Sequence, residues 1–305
     1  MLTLQSQANR DGILAMTFAM ACFIANDALV KYVSESLPAA QLIFIRGLFA
    51  TAFLLAVAHG MGLLRRTPGQ ASDPLRQLLL RPVWLRAVID AVATIAYLTS
   101  LFNLPIGNAT AISMATPLLI TLFAVLAWRE RVGPGRWLAL ACGFAGVLLI
   151  VQPDAGGFNA WAMLCFLATV LHTVRDLITR TIPEQVPSIL VTVSTTVAVT
   201  LLAGLMSVAQ PWAPLDARQL LLLGAASIFL SGAYYLIIVG MRTGEMSLIA
   251  PFRYTGLLFA LLLGWLVWRE VPNTAAWIGI ALLVGAGIYV LHSERTRTLL
   301  DAAAD

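Results

Sequence analysis

Lysine is almost absent from this chain, since Lys31 is the only lysine among 305 residues. A phosphate-binding loop of the form G-x-x-x-x-G-K-[ST] requires a lysine directly before a hydroxyl residue, and the sequence therefore has no such loop. The motifs H-E-x-x-H, C-x-x-C and G-x-S-x-G are also missing, which removes common signatures of metalloproteases, redox enzymes and serine hydrolases. The sequence thus predicts neither ATP hydrolysis nor another enzymatic activity, and no cofactor is expected.

Charged residues are also scarce. They make up 11% of the chain, while 60% of it is hydrophobic; a soluble domain carries about 25% charged residues. A membrane-spanning helix needs about 20 mostly apolar residues. Ten segments approximately qualify, namely 11–34, 38–62, 82–103, 107–128, 135–152, 159–181, 187–209, 218–240, 245–268 and 273–292. They are rich in Leu and Ala and lack the alternation of outer-membrane strands, which predicts an all-α polytopic membrane protein with ten transmembrane helices.

Cysteines are few, and the three present, Cys22, Cys142 and Cys165, all lie in apolar segments without metal-ligand spacing. Neither a disulfide nor a metal site is expected. The net charge of +4 comes from arginines in loops rather than from a basic patch. The expected partners are therefore the lipid bilayer and a small-molecule substrate, with no nucleic acid and no ATPase subunit.

The loop arginines also predict an orientation. With ten spans and a cytoplasmic N-terminus, three basic residues, Lys31, Arg218 and Arg269, fall outside. Twelve arginines then fall on the cytoplasmic side: Arg10, Arg65, Arg66, Arg76, Arg81, Arg129, Arg131, Arg136, Arg180, Arg242, Arg295 and Arg297. This distribution follows the positive-inside rule and places both termini in the cytoplasm.

The chain contains an internal repeat. Acid, base, acid and proline recur at equal intervals in "DALVKYVSESLP" and "DLITRTIPEQVP", which match Asp27, Lys31, Glu35 and Pro38 with Asp176, Arg180, Glu184 and Pro187. A second match, with a shorter offset, aligns the Trp-Arg-Glu at 128–130 with that at 268–270. Two matches in the same order predict two five-helix halves, residues 1–152 and 153–305. Because five is odd, the second half enters the membrane inverted, as in many secondary carriers.

Ionisable residues within predicted spans require partners or water, because each costs about 2.5–3.5 kcal/mol at the centre of a lone helix. Asp27 and Arg46 lie at similar depths on either side of the turn at 36–38, which predicts a structural ion pair. Arg86 and Asp90 are four residues apart and share one helix face. By the repeat, Asp176 stands where Asp27 stands in the first half, but Thr195 replaces the matching arginine, so Arg175 or Arg253 is its expected partner.

Arg253 is the strongest candidate for binding an anionic group. It follows Pro251 in "IAPFRY", and the proline removes a backbone donor and disturbs the helix. Irregular backbone beside a buried guanidinium is a plausible anion site. The alternative is a structural pair with Asp90 or Asp176.

Other polar and aromatic side chains could line the same substrate pocket. Taken singly, a tyrosine within a span is more often a packing residue, and a lone histidine more often a satisfied core residue. Together they suit a ligand with a polar head and an apolar or aromatic body. The predicted substrate-binding set is Arg253, Tyr97, His172, Tyr234, Tyr254, Ser113, Arg175 and Asp90.

The ten spans, the inverted halves, "ATPLLITLFAVLAWRE" at the end of the fourth span and "WRE" at the end of the ninth resemble the drug/metabolite transporter superfamily, and its EamA family in particular. The resemblance covers about residues 11–292. It implies a basket of ten helices around a central cavity in a bacterial inner membrane. The YddG-type exporters of aromatic and other neutral amino acids are the leading match. The stretches "NDALVKYVSE" and "QLIFIRG" also resemble relatives that import riboflavin or S-adenosylmethionine.

The expected function is therefore secondary export of amino acids or similar metabolites by alternating access. The second reading is an importer of a larger metabolite. A channel is third, and the sequence lacks a filter motif such as TVGYG.

Overall fold

The computed structural model describes residues 2–63, 77–78, 80–128, 133–151, 159–179, 181–183, 185–243 and 249–302. Within these ranges every regular element is helical, which confirms the all-α prediction. Several residues of the repeat, among them Arg129, Glu130, Arg180 and Glu184, lie outside the described ranges.

Eleven α-helices follow one another in the described part of the chain: α1 (Leu2–Ser34), α2 (Ala39–Gly60), α3 (Arg81–Asn103), α4 (Ile106–Ser113), α5 (Thr116–Trp128), α6 (Pro134–Val151), α7 (Ala160–Thr179), α8 (Ser188–Val208), α9 (Ala217–Thr243), α10 (Thr255–Leu263) and α11 (Thr274–Ala302). A 3₁₀ turn (Ala250–Tyr254) precedes α10, and a π-helical turn (Gly264–Trp268) follows it.

Eight stretches of the described helices are long and apolar enough to cross a membrane. One of them joins α4 to the first part of α5, and another joins the 3₁₀ turn, α10 and the π-helical turn. Two further apolar helices, Trp137–Val151 and Thr274–Val290, are shorter. The protein is therefore polytopic, and each of these eight spans and two shorter helices overlaps one of the predicted segments.

Helices from the two halves of the chain interleave rather than forming separate bundles. The most extensive contacts join α1 to α9, α3 to α7, α2 to α8 and α6 to α11. At the α2–α8 contact, the hydroxyl oxygens of Thr51 and Thr200 lie 3.3 Å apart, and these residues are separated by 149 positions. The buried core, which includes Leu42, Leu101 and Leu283, runs through both halves.

The helical path within the predicted spans is interrupted at Pro251, just before Pro117 and at a π-helical turn that contains no proline. Pro251 begins the predicted irregular stretch, which is the 3₁₀ turn. The predicted fourth span, 107–128, is divided at Met114 and Ala115 into α4 and α5. The π-helical turn ends at Arg269, whose φ of 57° is in the left-handed region, a common way to stop a helix.

Close packing of α6 on α11 depends on glycine. A Cβ atom at Gly146 would lie 2.6 Å from the carbonyl oxygen of Gly279, whereas a Cβ atom at Gly285 would meet no atom within 4 Å. Small residues allow membrane helices to approach in this way.

We expect Gly146→Ala to lower the free energy of unfolding by about 1–3 kcal/mol, because overpacking forces the two backbones apart. Gly285→Ala is the matched control on the same helix pair, and it should be neutral or slightly stabilising since alanine favours helix. Thermal unfolding in detergent measures both variants, and equal changes in the two would contradict this packing.

Candidate functional site

A first group of polar side chains, which we call the Asp27 group, lies buried between α1, α2 and α3. It contains Asn26, Asp27, Arg46 and Tyr97. The Tyr97 hydroxyl donates to Asp27 Oδ2 (2.9 Å), and Asn26 Nδ2 donates to Asp27 Oδ1 (2.9 Å). Arg46 Nη1 donates to Asn26 Oδ1 at 3.2 Å. Asp27 and Arg46 are thus joined through the Asn26 amide, and their partnership as a structural pair stays a prediction.

A second group, the Asp90 group, lies between α3 and α7. Arg175 Nη1 donates to Asp90 Oδ1 (2.8 Å), and Arg175 Nε donates to Asp176 Oδ1 (2.9 Å). His172 Nε2 lies 3.6 Å from Asp90 Oδ1, and Arg86 Nη1 lies 3.9 Å from Asp90 Oδ2. The Arg175 guanidinium therefore bridges Asp90 of α3 and Asp176 of α7.

The two groups meet at an aromatic contact. The ring centroids of Tyr97 and His172 are 6.2 Å apart, so the side chains beside Asp27 and beside Asp90 are in contact. Tyr97, His172 and Arg175 are only partly buried. Polar surface therefore remains accessible between α3 and α7, where a solute could contact it.

The other predicted site residues are more scattered. Tyr234 of α9 packs edge-on against Phe23 of α1, with ring centroids 5.2 Å apart. Tyr254 is buried, and its hydroxyl has no hydrogen-bond partner among the described residues. Ser113 donates to the carbonyl oxygen of Thr110 (2.7 Å) at the end of α4. Arg253 is exposed and makes no hydrogen bond or ion pair with the rest of the described chain.

A third group closes the bundle at the end where α1 terminates, and we call it the Lys31 closure. Lys31 Nζ donates to Glu270 Oε1 and to the Leu104 carbonyl oxygen, both at 2.6 Å. Glu270 Oε2 accepts a hydrogen bond (2.9 Å) from the backbone N–H of Ile106, the first residue of α4. Lys31 also lies 4.9 Å from the centroid of the Trp268 ring. One carboxylate thus ties α1, α4 and the end of the π-helical turn together.

A small cavity of about 290 Å³ borders this closure, lined by Lys31, Ser34, Glu35, Phe102, Asn103, Leu104, Pro105, Trp268 and Glu270. Trp268 Nε1 donates to Glu35 Oε1 at 2.7 Å across it. The second half of the chain therefore contacts α1 through both Trp268 and Glu270.

Sequence reasoning missed three features of these groups. Asn26 was one of many polar residues in the spans, and nothing in its position indicated that it bridges two charges. Arg86 shares a helix face with Asp90 as the spacing predicts, but its hydrogen bonds to Thr179 (2.8 Å) and Thr195 (2.6 Å) were not anticipated. Glu270 was taken as an interfacial helix-end residue. Its match with Glu130 in the repeat was the signal for a larger role.

An all-helical bundle of membrane-length apolar helices, with ionisable side chains gathered between them, defines a multi-pass membrane protein. The sequence matches the EamA-like transporter family twice, over residues 10–152 and 159–292. The chain therefore belongs to this family, and it is a transporter rather than an enzyme. The two matched ranges lie on either side of the predicted repeat boundary.

Similar proteins include transporters of opposite direction. A riboflavin transporter of Rhizobium johnstonii is 29% identical over 94% of this chain and 92% of its own length. An S-adenosylmethionine uptake transporter of Rickettsia prowazekii is 22% identical over 93% of this chain and 94% of its own length. The pseudopaline exporter CntI of Pseudomonas aeruginosa is 26% identical over 94% and 98%. One crystal structure aligns with a TM-score of 0.62 at 23% identity, covering 97% of this chain and 99% of that one, which shows a shared fold.

Proposed function

We propose that this chain is a secondary carrier of small organic metabolites, built from two inverted five-helix repeats, residues 1–152 and 153–305. It works by alternating access, with the substrate held between the halves. The observation that carries this proposal is the position of the Asp90 group between α3 of the first half and α7 of the second. Buried charges are expensive in a membrane and usually mark a substrate or ion pathway.

The helix contacts support the inverted repeat. If α1 corresponds to α7 and α3 to α9, the α1–α9 and α3–α7 contacts are equivalent under a two-fold rotation. Thr51 and Thr200 are counterparts at the first offset of the repeat, and a residue meets its own counterpart only beside a two-fold axis. The two family matches, one in each half, agree with this arrangement.

The carrier lies in a bacterial inner membrane with both termini cytoplasmic. The excess of arginine on one side supports this orientation, and the similar transporters described above come from bacteria. The Lys31 closure then seals the external end, and the described conformation is closed to the outside.

The leading substrates are aromatic and other neutral amino acids or similar metabolites, which the carrier exports. Paired acidic and basic side chains beside tyrosines suit a zwitterion with an apolar body. The names of the relatives favour a second candidate, import of riboflavin or S-adenosylmethionine.

Reconstitution into liposomes tests this function. Purified protein should give saturable flux of at least one member of a panel of labelled amino acids, riboflavin and S-adenosylmethionine, without ATP. The comparison variant is the Asp90→Asn/Arg175→Gln protein, which removes both charges of the ion pair between α3 and α7. Flux of an amino acid favours the leading reading, and flux of the larger metabolites alone favours the second. If no compound of the panel gives flux, both the amino-acid assignment and the riboflavin or S-adenosylmethionine assignment are contradicted.

A further inference from the structure

The guanidinium of Arg46 is buried and has few hydrogen-bond acceptors around it. Its side chain keeps only 5% of its surface exposed. Its Nη1 makes the 3.2 Å hydrogen bond to Asn26, and its Nε–H has no acceptor within the described chain. Removing a charged group from water is costly unless charges and hydrogen bonds replace the lost solvent. Arg46 is therefore short of acceptors.

The other arginines near these groups either have anionic or hydroxyl partners or are exposed to solvent. Arg175 contacts two carboxylates directly, and Arg86 donates to two threonine hydroxyls near Asp90. Arg253 is exposed and does not carry the cost of burial. Among these four arginines, Arg46 is the one that is deeply buried without a direct carboxylate.

Asp27 does not supply the missing acceptor. One of its oxygens accepts from Tyr97 and the other from Asn26. The Asn26 amide lies between the carboxylate and the guanidinium and bonds to each of them. This spacing keeps the two charges apart and leaves Arg46 able to accept another anion.

We propose that Arg46 binds the carboxylate of the transported metabolite, an assignment that rests on the carrier function proposed above. A guanidinium presents parallel donors that match a carboxylate in bidentate fashion. Phe23 lies one helical turn before Asp27 on the same face of α1, and its contact with Tyr234 provides an aromatic wall. The ligand class is a carboxylic acid with an apolar or aromatic body, and Asp27 can balance an amine where one is present.

Three matched compounds test this assignment on the purified full chain in detergent: phenylpropionate has only the acid, phenylethylamine only the amine, and L-phenylalanine both. Isothermal titration should show that Arg46→Gln weakens binding of both acids by about tenfold or more, since it removes a charge-assisted pair. Binding of phenylethylamine should change little. Arg10→Gln, which removes an exposed arginine of the same chain, should change none of the three affinities.

Two further variants keep the test possible if the Arg46→Gln protein does not fold. Arg46→Lys keeps the positive charge but loses the two parallel N–H donors of the guanidinium. Asp27→Asn/Arg46→Gln removes both charges together. Each should bind the acids more weakly than the wild type. Wild-type affinity for the acids in any folded Arg46 variant would overturn the proposal. So would misfolding of all three variants, which would make Arg46 a structural residue, or loss of acid binding in Arg253→Gln instead.

The outcomes separate this inference from the carrier function. A wild type that binds acids through Arg46 but gives no flux in liposomes would retain the inference and lose the function. A wild type that transports riboflavin and binds no acid would retain the function and overturn the inference.

Discussion

A covalent link between the positions of Lys31 and Glu270 is expected to stop transport. These side chains hold α1 against α4 and the π-helical turn with hydrogen bonds of 2.6 Å and 2.9 Å. In an alternating-access carrier this end must open once in every cycle. A Lys31→Cys/Glu270→Cys protein, made without Cys22, Cys142 and Cys165, can be joined by a short bis-methanethiosulfonate. Flux in liposomes should fall to background and recover after reduction.

Two controls separate closure from damage. Each single cysteine variant should keep most of its flux after the reagent, because no link forms. A link between Thr51→Cys and Thr200→Cys, which joins α2 to α8 elsewhere in the bundle, is expected to be tolerated better. Full transport by the cross-linked 31/270 protein would mean that this end does not open.

Breaking the Asp90–Arg175 contact should cause the largest loss of stability in the protein. Arg175→Gln leaves both Asp90 and Asp176 without their bridging guanidinium, and breaking a buried pair from one side costs about 3–5 kcal/mol. Asp90→Asn alone should also destabilise. The double variant Asp90→Asn/Arg175→Gln should recover part of the loss, because neither charge is then left alone.

Thermal unfolding of the four proteins in detergent gives the coupling between these residues. Arg10→Gln serves as the control, since it removes an exposed arginine and should shift stability by less than about 0.5 kcal/mol. Strictly additive losses at Asp90 and Arg175 would remove the pairing argument.

The architecture could be predicted well from the sequence because its signals are strong. Apolar length and scarcity of charge predicted a polytopic all-helical membrane protein, which is confirmed, while the inverted repeat at Asp27 and Asp176 stays a prediction. Pro251 correctly indicated an irregular turn, since proline cannot donate to the preceding helical turn. Pro117, in the first turn of α5, marks the division of the fourth span at Met114 in the same way, whereas the π-helical turn contains no proline to indicate it.

The pairing of charges was harder to predict because depth along a helix does not fix direction around it. Arg175 and Asp176 are consecutive, so their side chains leave the helix about 100° apart, and yet the long side chain of Arg175 reaches both its neighbour and Asp90. Depth alone placed Asp27 near Arg46, but it could not show that Asn26 stands between them. Lys31 and Glu270 are 239 positions apart, and only the fold brings them together.

Counterflow is the most direct test of the alternating-access claim. Liposomes containing the protein are loaded with an unlabelled substrate from the panel, and uptake of the labelled form is then followed without any other gradient. A carrier that exposes one site to each side in turn predicts uptake that is saturable and accelerated by the internal substrate. Uptake that rises linearly with concentration and is indifferent to the internal substrate would instead indicate a channel and contradict this account.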